Sequence, residues 1–304
     1  MAIVLAFSTV VLVWATTPLA MSWSLEGFPL TFTTMVRLVG GALSFWTVLL
    51  VCRHRFANHK KAWRFYLIGG TSMCLALTCS YIGAGYVSSG MLAVLFGLSP
   101  IGTCLLARWI LPGESISRLK AAAMVLGCLG LAYVFESSLA LSADAWIGVL
   151  YILAAVTFFC LGSVLGKKLG EGIDSLSAGT GVVSVAAVGF VFIWLVNGAD
   201  IPTQLVLKPA LTTGYLAVFG SCLAMWGYFH VLQQLPTSRV ALMKLISPIF
   251  AVWLGVQLNG EQINASMLIG TALVITALLV FEWGDILVSR VGRVLKPLEQ
   301  AEQT

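Results

Sequence analysis

Residues 95–114, LFGLSPIGTCLLARWILPGE, return in altered form at 243–261 as MKLISPIFAVWLGVQLNGE. At an offset of 148, Ser99-Pro100 falls on Ser247-Pro248, and at 147, Gly113-Glu114 falls on Gly260-Glu261. In both copies the Ser-Pro pair lies inside an apolar run and the Gly-Glu pair lies in the loop that ends it. Upstream, Tyr66-Leu67 opens one apolar run as Tyr215-Leu216 opens another. The chain therefore reads as two copies of one unit with five apolar runs in each. Because five is odd, the second copy enters a membrane from the side opposite to the first. Such an inverted-topology repeat generates two packings of one bundle, open to opposite sides around a site near the midplane.

Composition agrees with that frame. Of 304 residues, 59% are hydrophobic and 10% charged, whereas a soluble domain carries roughly 25% charged residues. A spanning helix takes about 20 apolar residues, so ten of them fill most of the chain and leave about ten residues per connection. That excludes a large extramembrane catalytic domain and a nucleic-acid-binding domain. The strand alternation of a membrane β-barrel is absent too. The expected fold is an all-α polytopic membrane protein, ten transmembrane helices as two inverted five-helix repeats around a central cavity. The spans are expected near 2–22, 31–51, 65–86, 89–111, 118–136, 146–166, 176–196, 211–232, 237–258 and 265–283. The first half is expected over 1–140, the second over 141–285, and a basic cytoplasmic tail over 286–304. The first run is read as a retained helix, since no Lys or Arg precedes it and Trp14, Thr16, Thr17 and Pro18 interrupt it.

Basic residues give the orientation, because cytoplasmic loops of membrane proteins are enriched in them. With a cytoplasmic N-terminus, fourteen of the 17 fall inside: Arg53, Arg55, Lys60, Lys61, Arg64, Arg108, Arg118, Lys120, Lys167, Lys168, Arg239, Arg290, Arg293 and Lys296. Only Lys208 falls outside, in loops that also hold Glu26, Glu136, Asp144, Asp200 and Glu261. Arg37 and Lys244 remain, both within spans. An odd span count would reverse the later loops and spoil this asymmetry, so both termini are placed in the cytoplasm. Seven cysteines sit in or beside apolar runs without a Cys-x-x-Cys pair, and three histidines are scattered. No metal and no cofactor is expected.

The half-repeat ending in Ser-Pro, then Gly-Glu, then a Gly-rich final helix (Gly127, Gly130; Gly270) resembles the EamA type of the drug/metabolite transporter superfamily. Trp14 in the first span and Arg37-Leu38 in the second are also similar. The resemblance covers nearly all of 1–284. It implies a basket with spans one to four and six to nine around a central cavity and spans five and ten outside. It also implies export of amino acids or related metabolites, driven by proton or counter-substrate gradients, in a bacterial inner membrane. Span six departs from the pattern, with Phe159, Leu161, Gly162 and Ser163 in place of the Trp14–Pro18 segment.

Few residues remain that could do chemistry. Lys244 sits about seven residues into span nine, roughly 10 Å from the inner face at 1.5 Å per residue. A charge at that depth is costly unless paired or hydrated. It reads either as an anchor for a substrate carboxylate or phosphate, with Ser247 and Pro248 one turn on, or as a lysine snorkelling to the surface. Its repeat counterpart is Phe96, which would give the cavity one charged and one apolar wall. Arg37 lies similarly deep from the outer face, as a second anion contact, half of a gate, or a structural arginine bonding helix-end carbonyls. No acidic residue lies in a span interior. Trp14, Tyr81, Phe96, Trp226 and Tyr228 fall at mid-helix, where they pack or stack on substrate, and Ser99 and Ser247 add hydroxyls. Pro18, Pro100 and Pro248 kink their helices and are hinge candidates.

The expected function is a secondary-active exporter of a small carboxylate-bearing metabolite such as an amino acid, working by alternating access. Phosphorylated or organic-acid substrates are the alternative within transport. Outside it stands a non-transporting membrane sensor or accessory subunit. An intramembrane enzyme lacks a nucleophile with an acid/base set at one depth. Gly162-Ser-Val-Leu-Gly166-Lys167 is not a P-loop, having three residues between glycines and no following Ser or Thr. The partners expected are a small-molecule metabolite and the lipid bilayer.

Overall fold

A computed structural model describes residues 2–110, 117–141, 144–234, 237–262 and 264–301. The side chains of some helical residues, Lys244 and everything from 286 onward among them, lie outside that description, as do Gly113 and Glu114 altogether. Among the described residues there is no strand. The helices run α1 (Ala2–Ser24), α2 (Leu30–Val51), α3 (Lys60–Ala84), α4 (Ser89–Gly97), α5 (Ser99–Ile110), α6 (Arg118–Leu141) and α7 (Ala145–Leu169). They continue through α8 (Ser175–Val196), α9 (Leu207–Tyr215), a π-helical segment (Leu216–Leu223), α10 (Ala224–Gln234), α11 (Thr237–Asn259) and α12 (Ala265–Ala301).

Among the described residues, eight helical stretches are long and apolar enough to cross a membrane, and Ile246–Asn259 forms a shorter apolar helix. Leu5, Leu43, Leu50, Val188 and Phe192 are exposed on the outer surface of the bundle, an apolar coat that suits lipid and not water. Polar side chains start several helices where the unpaired N–H groups need acceptors. His59 accepts from the amide of Ala62 at the start of α3, Ser88 from Met91 at α4, and Asp174 from Ser177 at α8.

Helices α2, α3, α7 and α8 pack side by side, as do α1, α4 and α11, while α6 and α12 pair with each other. The α6–α12 contact is backbone on backbone. A Cβ at Gly130 would lie 2.9 Å from the Gly270 carbonyl oxygen, and one at Gly270 would lie 2.7 Å from that of Gly130. Small residues let membrane helices approach this closely.

Loop contacts sort into two ends. At one end Lys208 pairs with Glu26 at 2.7 Å, and Trp23 Nε1 donates to Asn259 Oδ1 at 2.8 Å. At the other, Lys61 Nζ donates to the Glu171 carbonyl at 3.1 Å, and Ala57 N to Ser177 Oγ at 3.1 Å. These are the loops that the basic-residue count separates.

The three span prolines shape their helices differently. In α1, Thr17 Oγ1 donates to the Val13 carbonyl at 2.6 Å, and in α11 Ser247 Oγ donates to that of Met243 at 2.7 Å. Each hydroxyl directly precedes a proline and engages backbone in the turn that proline disturbs. The span expected over 89–111 is one apolar stretch, Ser89–Ile110, whose helix is interrupted at Leu98, two residues before Pro100. Pro100 has no N–H for the Phe96 carbonyl, and Cys160 Sγ donates to the Ser99 carbonyl beside it at 3.2 Å. Two further differences concern helix shape. The run expected over 211–232 starts at Leu207 and carries the π-helical segment, and the tail expected after 285 continues α12 to Ala301.

Candidate functional site

Arg37 is 4% exposed and lies on α2 where that helix meets the π-helical segment. Gly41, one turn on, makes the approach: a Cβ there would stand 2.6 Å from Ser221 Cβ and 3.1 Å from the Ala217 carbonyl oxygen. With α2 that close, Arg37 Nε donates to Ser221 Oγ at 3.1 Å, and Nη1 donates to the Tyr81 hydroxyl at 3.3 Å. The guanidinium carbon also lies 5.8 Å from the Tyr81 ring centroid. Tyr81 on α3 and Ser221 are both fully buried. Gly220 leaves space beside the guanidinium, since a Cβ there would sit 3.4 Å from Nη2.

The electrostatics of this cluster are one-sided. Arginine keeps its charge in proteins, and a charge within a bilayer is costly unless met by an opposite charge or water. Among the described residues the ion pairs are His54–Asp174 and Lys208–Glu26, both at the bundle ends. Glu26 and Glu261 are engaged elsewhere, Glu26 by Lys208 and Glu261 by Ser89. The Arg37 partners are thus two neutral hydroxyls and an aromatic face, and several of its five donors stay available.

Ser221 is the residue that sequence reading misses. It appears there as one more small residue in an apolar run, and the π-helical turn that swings it toward α2 leaves no mark in the residue pattern. A hydroxyl at mid-span within a Gly-Ser pair is the only local signal. Thr16 is a similar case: its hydroxyl donates to carbonyls of its own helix, and the Tyr215 hydroxyl bonds to it at 2.6 Å across 199 residues.

The other expected site residues form separate groups. Trp14 meets Tyr228 with ring centroids 5.2 Å apart, in an apolar cluster with Val10, Val231 and Met243. Phe96 meets Phe159 edge-on at 6.3 Å. Ser99 is buried at the α4–α5 break. Ser247 is buried, with its hydroxyl spent on its own helix. Trp226 stacks on His230 at 5.2 Å and divides two shallow apolar grooves, one lined by Phe45, Leu176 and Cys222, the other by Leu5, Thr9 and Gly227. Lys244 lies on α11, and its side chain is outside the described residues. Of the expected set, Arg37 is brought to Tyr81 and Trp14 to Tyr228, and the two pairs stand in separate clusters.

Comparisons with known proteins bear on the whole chain. "Uncharacterized transporter YoaV" of Bacillus subtilis (strain 168) is 25% identical over 287 residues, covering 90% of this chain and 94% of that protein. "Uncharacterized inner membrane transporter YedA" of Escherichia coli (strain K12) is 22% identical over 286 residues, 91% of this chain and 89% of the relative. "Protein PagO" of Salmonella typhimurium is 26% identical over 282 residues, 88% of this chain and 89% of its own. A solved crystal structure, 17% identical, superposes with a TM-score of 0.67 over 92% of this chain and 98% of its own, which speaks to the fold alone. With its apolar helices, the chain is an integral membrane protein of the transporter type. The model of the EamA-like transporter family matches it twice, over residues 1–136 and 146–283, and the chain belongs to that family.

Proposed function

We propose that the protein is a secondary-active transporter, an exporter of a small carboxylate-bearing metabolite such as an amino acid. Ten spans in two inverted five-helix repeats rock between packings open to either side, with both termini in the cytoplasm. The observation that carries the substrate class is Arg37. A buried guanidinium with only hydroxyl partners is a standing positive charge that a substrate carboxylate would neutralise with a bidentate, charge-assisted pair. Tyr81 and Ser221 orient the guanidinium while the site is empty. The aromatic pairs Trp14–Tyr228 and Phe96–Phe159 supply apolar surface for the remainder of an amphipathic substrate. Lys244 is the second cation of the path, on the cytoplasmic side, and Pro18, Pro100 and Pro248 are the hinges. A proton or counter-substrate gradient supplies the driving force.

The test is flux of radiolabelled amino acids by the purified protein in proteoliposomes. Gradient-driven flux that Arg37→Met abolishes supports this reading. Flux that Arg37→Met leaves unchanged removes the anion-binding role, and absence of flux for amino acids, organic acids and phosphorylated metabolites alike removes transport.

A further inference from the structure

At the end of the bundle that carries the Glu26–Lys208 pair, Glu261 reaches from the α11–α12 loop across to the start of α4. Its Oε1 accepts from Ser89 N at 2.9 Å and Ser89 Oγ at 2.6 Å, and its Oε2 accepts from Gly90 N at 3.2 Å. Asn259 Nδ2 donates to Oε1 at 3.2 Å, and Asn259 Oδ1 in turn accepts from Trp23 Nε1 at the end of α1. One chain of hydrogen bonds therefore ties α1, α4 and α11 together. Two residues come from the first family match, Trp23 and Ser89, and two from the second, Asn259 and Glu261.

We propose that this clasp is the gate at that end of the transport path, closed in this structure and released in every cycle. The inference rests on the transport reading, and three observations carry it. First, the helices it joins are those that contain the span prolines or end just short of one. Pro18 lies within α1, Pro248 within α11, and Pro100 just beyond α4. Each proline sits deeper in the bundle than the clasp, so the segments between clasp and proline are short arms hinged at their inner ends.

Second, the arms meet at the hinge as well as at the tip. A Cβ on Gly97 would lie 3.2 Å from Pro248 Cγ, and α4 between Ser89 and Gly97 has only nine residues before the break at Leu98. Helix α4 can tilt as a rod about that point without carrying α5 with it.

Third, the seal is polar where it meets water and close-packed beneath. Asn259 is exposed and Glu261 half-buried, whereas Ser89 is buried. A Cβ at Gly255 would stand 3.0 Å from Ser89 Oγ, and one at Gly90 3.2 Å from Val252 Cα. On release, the carboxylate and the Ser89 and Gly90 amides exchange one another for water at the rim, an exchange with small net free energy. The carboxylate is also matched to the positive end of α4, which makes re-closing specific to that helix.

Two measurements test the gate. Gly90→Cys with Val252→Cys places two thiols within disulfide reach just beneath the clasp, because a Cβ at Gly90 lies 3.2 Å from both Cα and Cγ2 of Val252, and neither change removes a hydrogen-bonding side chain of the clasp. In proteoliposomes loaded with a radiolabelled amino-acid mixture, the oxidised protein is expected to lose flux by about tenfold or more and to regain it on reduction. Equal flux before and after reduction, with the disulfide verified by mass spectrometry, overturns the gate.

Hydrogen exchange of the substrate-free protein is independent of any cargo. Amides at 89–92 are expected to exchange at least about tenfold faster than those in the middle of α3, and Glu261→Gln is expected to speed the former while leaving α3 unchanged. Protection at 89–92 equal to that of α3 in the wild-type protein makes the clasp a static cap and overturns the proposal. If exchange behaves as expected while the wild type moves no substrate, the opening stands and the transport reading fails.

Discussion

At the scale of single residues, Arg37 separates two demands that usually coincide. Its partners Ser221 and Tyr81 are neutral, so the folded state carries an uncompensated charge, and a flexible apolar residue of similar length relieves it. Taking a charge without an ionic partner out of the interior removes a desolvation cost of several kcal/mol. Arg37→Met is therefore expected to keep or raise the thermal midpoint in detergent while lowering flux by about tenfold or more, the size of a lost charge-assisted contact. A purely structural arginine would show the reverse, a lower midpoint with flux retained in whatever protein folds. Ser221→Ala removes one acceptor from the guanidinium and keeps the charge, so its expected effect is a weaker substrate KM with kcat little changed. Sequence reading reached Arg37 and Tyr81 through their depth in apolar runs. It could not reach Ser221, because the partners are 184 positions apart and nothing local records their meeting.

At the scale of elements, the helices follow from local rules and their irregularities from tertiary ones. Apolar run length marks the spans, and His59, Ser88 and Asp174 mark three helix starts. Pro100 announces a disturbance, yet Pro18 and Pro248 sit inside continuous helices while the helix is interrupted two residues before Pro100. In α1 and α11 the hydroxyl before the proline bonds the carbonyl four residues back. At Pro100, Cys160 of α7 engages the Ser99 carbonyl from outside, and the helix is interrupted. The close passage of α2 over the π-helical segment depends on Gly41. Gly41→Ala drives a Cβ against a backbone carbonyl and Ser221, and is expected to cost about 1–3 kcal/mol, the range for overpacking, read as a lower detergent melting midpoint. Flux should fall with it, since the same contact seats Arg37.

At the scale of the whole molecule, the pairing of α6 with α12 joins the final helices of the two family matches. Gly130 and Gly270 approach backbone to backbone, so no rotamer change can absorb a side chain there. Gly270→Val is expected to destabilise by about 3 kcal/mol or more, seen as a melting midpoint well below that of the wild type. The distribution of basic residues predicts cytoplasmic termini, which carboxy-terminal fusions to a reporter active only in the cytoplasm will check. A reporter active only outside, fused after Glu261, should give signal when the one fused at the terminus does not.

Composition, run length and the spacing of Ser-Pro and Gly-Glu pairs determined by themselves that this is a helical membrane protein built on a duplicated unit. They also set apart Arg37 and Lys244, the two basic residues that fall within the expected spans. Those properties are carried by residues near one another in the chain, in periods and offsets that a bilayer imposes on any sequence crossing it. Tertiary structure alone decided that, among the described residues, Arg37 meets hydroxyls and no acid, and that Glu261 bonds to the start of α4. It also placed Trp14 with Tyr228 while leaving Trp226 apart. The physical reason is that helix packing turns on close approach at a few small residues. The distances at those points, not the pattern of the residues, select which polar groups meet.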